Sequence, residues 1–422
     1  MLLGVSKVCI TPPIGTFLGG YASRTKPCSS VSEDIFVRVH IHEFPKEKVS
    51  IMYIYADLAH WDNMVVQDLR NALTQKYGIA SENMVFVASH SHSGPIVGHD
   101  ELLLPPVKED PEYTEFVKEK VVEAVSLAQA EKVEVSLTRY NSTSDLNVFR
   151  RASRNGVVYM EPNYSVPADK TLTVLAMRDA AGQIRGLMLH YPCHANVANG
   201  YDVHPDYPGI ALRMLDDLYP QSISIFTQGC TGDLRPNSVC GNKFVPAKYE
   251  NVVLFAKSFF DDCLNALQGD AVPIIEAPMI SSTRFWLPQE NLKDEKELIH
   301  LEKNGTSFEQ AWAKGVLEKG NQPGAYMEVQ RVSYGKELTF YTMNAEVVQR
   351  YAAYIRELDP YSTCITYANG MIGYISDAQE IVEGGYEPVG SAPYFLLSGT
   401  YTIEIDPIIR HALYELNRNH NG

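Results

Sequence analysis

The run Met84 to Ala88 is apolar and leads straight into His90-Ser91-His92, after which Ser93-Gly94-Pro95 turns the chain. Such a run predicts a buried strand, and Ser-Gly-Pro stops it. Side chains on a strand repeat every two residues, so His90 and His92 are expected on one face at its mouth. Two neutral imidazoles presented in this way are donors for a metal ion, zinc in particular. Two donors do not complete a metal shell, so the others must come from distant parts of the chain.

Four further clusters carry suitable side chains. His190-Tyr191-Pro192-Cys193-His194-Ala195-Asn196 repeats the pattern of a strand delivering histidine into a Pro-containing turn, and His204-Pro205-Asp206 follows shortly after. Gln228-Gly229-Cys230-Thr231-Gly232-Asp233-Leu234-Arg235-Pro236-Asn237 comes directly after the apolar run Ile223 to Thr227. Its glycines allow close approach to the backbone, yet it is neither a Walker loop nor a dinucleotide fingerprint. Glu346, in Asn344-Ala345-Glu346-Val347, stands between a strand and a helix, where a first-turn charge is its ordinary role. The last cluster is tyrosine beside glycine: Asn369 to Tyr374, then Gly384-Gly385-Tyr386-Glu387-Pro388 and Tyr394. By contrast, His40-Ile41-His42 has the His-x-His spacing but alternates with Ile35, Val37, Val39 and Ile41, which places it on a polar face expected to meet solvent.

The elements that must position these clusters alternate along the chain. Strands are expected at Val49 to Tyr55, Met84 to Ala88, Val133 to Leu137, Leu172 to Met177, Gly186 to Leu189, Ile223 to Thr227, Met327 to Ser333, Leu338 to Met343 and Thr363 to Tyr367. Helices are expected at Met64 to Tyr77 with a Gly78 stop, Glu112 to Ala130 opened by Glu109-Asp110-Pro111, Tyr249 to Leu267, Val347 to Leu358 and from about Asp406. This order predicts an α/β fold with a mixed sheet and flanking helices. The charged stretch 289–320 reads as a helical excursion on one domain spanning 1–422.

Bulk properties narrow the function. The chain has 422 residues, 45% hydrophobic and 21% charged, an ordinary globular balance. A net charge of -15 opposes nucleic acid and anionic membrane surfaces as partners. No segment approaches the length of a membrane span, and the N-terminus lacks the apolar stretch of a secretory leader. Seven cysteines without a Cys-x-x-Cys read as reduced thiols, and a cytoplasmic location is expected.

Taken in order, Ile10-Thr11-Pro12-Pro13, Gly19-Gly20-Tyr21, the Asp57 strand end, His90-Ser91-His92-Ser93-Gly94-Pro95, Gly232-Asp233-Leu234-Arg235-Pro236-Asn237, Asn369 to Tyr374 and Tyr386-Glu387 resemble the catalytic domain of the neutral/alkaline non-lysosomal ceramidases. The resemblance spans essentially the whole chain. It implies a ceramidase-like α/β fold and a catalytic zinc held by His90, His194, Glu346 and Tyr386. It also implies roles at the scissile amide for His92 and Arg150, with Arg151 as the alternative to Arg150, and a nearby role for Tyr394. Zinc in such a site lowers the pKa of bound water towards ~7 and polarises a carbonyl.

The chain departs from the family at two points. Arg235 stands where the family loop carries serine, and the family's C-terminal immunoglobulin-like domain has no counterpart. The expectation is therefore a zinc-dependent hydrolase of a soluble small-molecule amide, polar or anionic, that Arg235, Asp233 and Asn237 help to bind. Hydrolysis of a lactone, ester or phosphoester, and non-catalytic ligand binding, are the alternatives.

Overall fold

The chain was analysed as a computed structural model, which describes residues 1–98, 104, 107–108 and 110–418. Glu109, expected at a helix start, lies outside the described residues. Three five-stranded sheets carry the fold. The first runs in the order Met84–Ala88, Val49–Ala56, Phe36–Phe44, Leu2–Cys9, Lys132–Glu134. The second runs Ile223–Gln228, Ile184–Tyr191, Thr171–Arg178, Ser136–Thr143, Ala271–Ile274. The third runs Ser362–Ile365, Leu338–Met343, Gly324–Tyr334, Pro278–Glu290, Thr400–Tyr401.

Each sheet is antiparallel apart from one parallel pair at its edge: Val49–Ala56 with Met84–Ala88, Ile184–Tyr191 with Ile223–Gln228, and Leu338–Met343 with Ser362–Ile365. Parallel neighbours need a crossover, and each has a helix: Asn63–Tyr77, Asp206–Leu218 and Gln349–Leu358. The first crossover helix starts on Asp62, whose carboxylate accepts from the amides of Met64 and Val65. It ends on Gly78 in the left-handed region at φ 68°.

The first two sheets pack face to face through Leu3, Tyr53, Val85, Leu175 and Leu189. Helices Asn63–Tyr77 and Pro111–Ala130 cover the outer face of the first sheet, with Val65, Leu69, Val117 and Val121 against Val39 and Ile54. Helices Asp206–Leu218 and Tyr249–Ala266 cover the second sheet through Ile210, Leu215 and Phe259. The third sheet shares a core with Gln349–Leu358 and the helix Ile405–Arg418. The α/β class expected from the sequence is the one observed.

Two readings are corrected. His40 and His42 do not face solvent; both are buried between sheets. His40 Nε2 donates to the Ile223 carbonyl at 2.7 Å, and His42 Nδ1 is hydrogen-bonded to the Tyr334 hydroxyl at 3.0 Å. With helices on one face and a sheet on the other, the polar side of that alternation becomes an interior layer. Val133 to Leu137 is not one strand but the end of one, Lys132–Glu134, and the start of another in a different sheet, Ser136–Thr143. In the charged stretch, helices Glu295–Asn304 and Ser307–Lys319 each begin with a reciprocal capping box.

Candidate metal centre

Ligands in open α/β sheets bind beyond the carboxyl ends of the parallel strands. Here the ends of three such parallel pairs meet. His90 and His92 follow Met84–Ala88, His194 follows Ile184–Tyr191, Thr231 follows Ile223–Gln228, Glu346 follows Leu338–Met343 and Tyr367 follows Ser362–Ile365.

His90 and His92 come together, but not by strand alternation. The strand ends at Ala88, and His90 adopts a left-handed φ of 61°. The segment is held by Ser89 and Ser91 amides donating to the carbonyls of Ala56 and Leu58, at 3.0 and 3.1 Å. Gly94 closes the turn directly against the Asp57 carbonyl, where a Cβ would come within 2.6 Å. On the other side the loop of Gly19 to Arg24 supports His92. Arg24 Nη1 donates to the carbonyls of Gly19 and His92, each at 2.6 Å, and the Tyr21 ring meets the His92 imidazole edge-on at 4.7 Å.

The protonation pattern follows from the hydrogen bonds. His90 Nδ1 donates to the Ala59 carbonyl at 2.7 Å and His194 Nδ1 to the Thr231 carbonyl at 3.1 Å. Each Nε2 therefore carries a lone pair. Those two atoms lie 3.0 Å apart, and His92 Nε2 is 3.1 Å from His90 Nε2. Glu346 Oε1 is 3.3 Å from His194 Nε2 and 3.5 Å from His90 Nε2, buried and without a hydrogen-bond partner. Burial, reinforced by the neighbouring His90, holds the His92 and His194 pKa values well below the usual imidazole range, so protons do not relieve this crowding. Two nitrogens on one tetrahedral zinc at about 2.0–2.1 Å stand about 3.3 Å apart. The donor set fits a divalent metal, with His92 as close to the cluster as the expected ligands.

Glu346 is anchored from behind. The Tyr374 hydroxyl is hydrogen-bonded to its carboxylate and accepts from Arg150 Nη2 at 3.0 Å. Arg150 Nε in turn donates to Glu387 Oε1 at 2.8 Å. Arg150 thus points to the centre, whereas Arg151 turns the other way, to Glu380, Glu383 and Glu387. Tyr386 and Tyr394 line the same cavity as His90, His92 and Glu346, a space of about 270 Å³. Burial and then the Glu346 charge push the Tyr386 phenol pKa up.

The loop residues expected to touch substrate separate. Asp233 is buried and caps the helix Gln349–Leu358, accepting from the Gln349 amide at 2.8 Å. Burial raises its pKa to about 7. Asn237 is exposed and accepts from the Tyr164 hydroxyl at 2.8 Å. Arg235 stays beside the centre, its charge contributing to the depression of both His92 and His194.

Two positioning residues escaped the sequence reading. The Tyr367 ring stacks on His90 at 4.0 Å, and its hydroxyl is bonded at 2.6 Å to Thr231 Oγ1, the residue whose carbonyl orients His194. Tyr374 links Arg150 to Glu346. A tyrosine at a strand end gives no sign of which face it will occupy; the positive φ of Tyr367, 53°, is visible only in the fold.

Residues 1–258 match the family profile described as neutral/alkaline non-lysosomal ceramidase, N-terminal. The crystal structure of the neutral ceramidase from Pseudomonas aeruginosa superposes with a TM-score of 0.75 at 17% identity, covering 99% of this chain and 74% of that one. A ceramidase structure complexed with C2 superposes at 0.76 and 15% identity, with the same coverage. At these identities the likeness to the two structures is one of fold. No curated protein sequence gives a significant match.

Proposed function

Since the chain belongs to the neutral/alkaline non-lysosomal ceramidase family, whose reaction is amide-bond hydrolysis, we propose that it is a zinc-dependent hydrolase of a soluble amide, polar or anionic in character. The observation that carries this reading is the convergence of three buried imidazole Nε2 atoms on the buried Glu346 Oε1, which has no hydrogen-bond partner. Nitrogen and oxygen donors of this kind suit zinc. Zinc bound there supplies a water acidic enough to lose a proton near neutral pH.

The surrounding residues have distinct tasks. His90, His194 and Glu346 would hold the metal, with Tyr386, on the wall of the same cavity, as a further oxygen donor. His92, at the cavity wall with Nδ1 unpartnered, moves the proton to the departing amine. Arg150 and Tyr374 fix Glu346 and add positive potential where the carbonyl oxygen gains charge.

The test is metal content and turnover together. Purified protein should hold close to one zinc per chain and cleave members of a panel of small N-acyl compounds. A chelator should abolish the activity and zinc should restore it. His194→Ala should lose the metal while staying folded. Protein that takes up no metal when zinc is supplied, and cleaves no amide, would leave the ligand-binding alternative in its place.

A further inference from the structure

Arg235 is a partly buried guanidinium whose Nε is fully buried. Among the described residues no carboxylate lies within ion-pair distance of it. Asp233, two residues away, is committed to the Gln349 amide, and Glu387 to Arg150 and Arg151. The side chain rests on soft surfaces instead. Its guanidinium lies over the Phe244 ring at 4.7 Å, Nη1 faces the Met160 sulfur at 3.8 Å, and Nε is buried without any partner. A guanidinium stacked by its face keeps its in-plane N–H groups for a planar anion. Leaving a partly buried charge of this kind unpaired has a cost that an anionic ligand would offset.

The position is set by the fold. Leu234–Pro236 pairs antiparallel with Asn147–Phe149, the strand that leads into Arg150. Tyr21, a wall of the metal cavity, feels the Arg235 charge more strongly than any other. The lining of that cavity also includes the apolar side chains Leu18, Ile96 and Phe395. A cation without an ion-pair partner thus stands near a cavity whose lining is partly hydrophobic. Arg150 and Arg151 are both held by Glu387, which leaves Arg235 as the guanidinium beside the centre without a carboxylate among the described residues. A planar guanidinium pairs with a carboxylate through two parallel hydrogen bonds.

We propose that the substrate is a monoanionic amide, its carboxylate paired with Arg235 and its other half packed along Leu18, Ile96 and Phe395. This rests on the hydrolase reading of the same site. The carboxylate can belong to either half: an N-acyl amino acid carries it on the amine, a monoamide of a dicarboxylic acid on the acyl group.

Zinc-loaded protein is assayed with two matched pairs, N-benzoylglycine against N-methylbenzamide, and N-phenylsuccinamic acid against N-phenylbutanamide. In one pair the acid should exceed its neutral partner by at least about tenfold in kcat/KM, as a charge-assisted bidentate contact allows. That pair identifies the half bearing the anion. In Arg235→Gln with equal zinc content the ratio should fall towards one, and Arg235→Lys should restore part of it. Ratios near one in both wild-type pairs, or a ratio unchanged in Arg235→Gln, overturn the proposal. Calorimetric binding of N-benzoylglycine and N-phenylsuccinamic acid, beside their carboxamides, separates the two readings. Acid binding that requires Arg235 without any turnover retains the anion site and removes the hydrolase. Amide turnover with no acid preference does the reverse.

Discussion

At the scale of single residues, the centre depends on groups that never touch a metal. Tyr367 stacks on His90 and, through Thr231, sets the orientation of His194. Tyr367→Phe keeps the ring and removes one buried hydrogen bond, leaving Thr231 Oγ1 without its partner. The cost is about 1–3 kcal/mol of stability and roughly a tenfold loss of zinc affinity, since groups that orient ligands tune affinity on that scale. Competition with a zinc chelator dye measures the affinity, and equal affinity in the two proteins would rule out the positioning role. Glu346→Gln should weaken zinc further, because it removes the one formal negative charge beside the imidazole nitrogens. The histidines were legible as donors from residue type and their strand-end settings, whereas Glu346 entered only through the family resemblance, its own setting reading as a helix-start charge. Tyr367 and Tyr374 were not, because a tyrosine is a packing residue until its hydroxyl is seen to have a partner. Between Arg150 and Arg151 the fold decides, because Arg150 lies in the break between Asn147–Phe149 and Arg151–Arg154, strands of two different sheets.

At the scale of elements, three crossovers set the carboxyl ends of parallel strands around one point. Met84–Ala88 and Ile223–Gln228 were readable because fully buried strands are short, continuous and apolar. Which strands would share a sheet was not readable, since partners such as Leu2–Cys9 and Phe36–Phe44 meet through long-range register. For the same reason His40 and His42 misled: their alternation is real, but a second sheet lies where solvent was expected. The loop at Gly20 shows how tightly the ends are fitted. A Cβ there would come 2.6 Å from the His92 ring, at a φ of 82° that disfavours any side chain. Gly20→Ala must move either the loop or His92, costing at least about 1–2 kcal/mol from the backbone alone. We expect kcat to fall more than tenfold with zinc content largely kept, because His90, His194 and Glu346 are not displaced. Loss of zinc together with activity would instead make the loop part of the metal scaffold.

At the scale of the whole molecule, the buried polar layer gives the fold a definite pH dependence. Burial lowers His40 and His204 to about 4 and His190 to about 3, and holds His42, His92 and His194 well below the usual value. A base depressed in the fold binds fewer protons there than in the unfolded chain. Its contribution is complete above the unfolded pKa near 6.5 and is lost as pH falls towards the folded value. Burial acts on carboxyls in the opposite sense, raising Asp57 to about 6 and Asp206 and Asp233 to about 7. Those groups favour the fold at low pH and lose that contribution as pH rises through 6 to 7. The imidazoles outnumber the carboxyls, so near pH 5.5 the unfolded metal-free chain binds more protons. Its stability should fall with decreasing pH, on the order of 2–4 kcal/mol per pH unit. Urea midpoints of metal-free protein at pH 7.5, 6.5 and 5.5 measure this, and a flat or rising series towards acid would contradict it. Zinc adds a second slope in the same direction, because protons compete for the ligands His90 and His194. The gap between zinc-loaded and metal-free midpoints should therefore narrow as pH falls, and Arg235→Gln, which leaves these donors in place, should show the same narrowing.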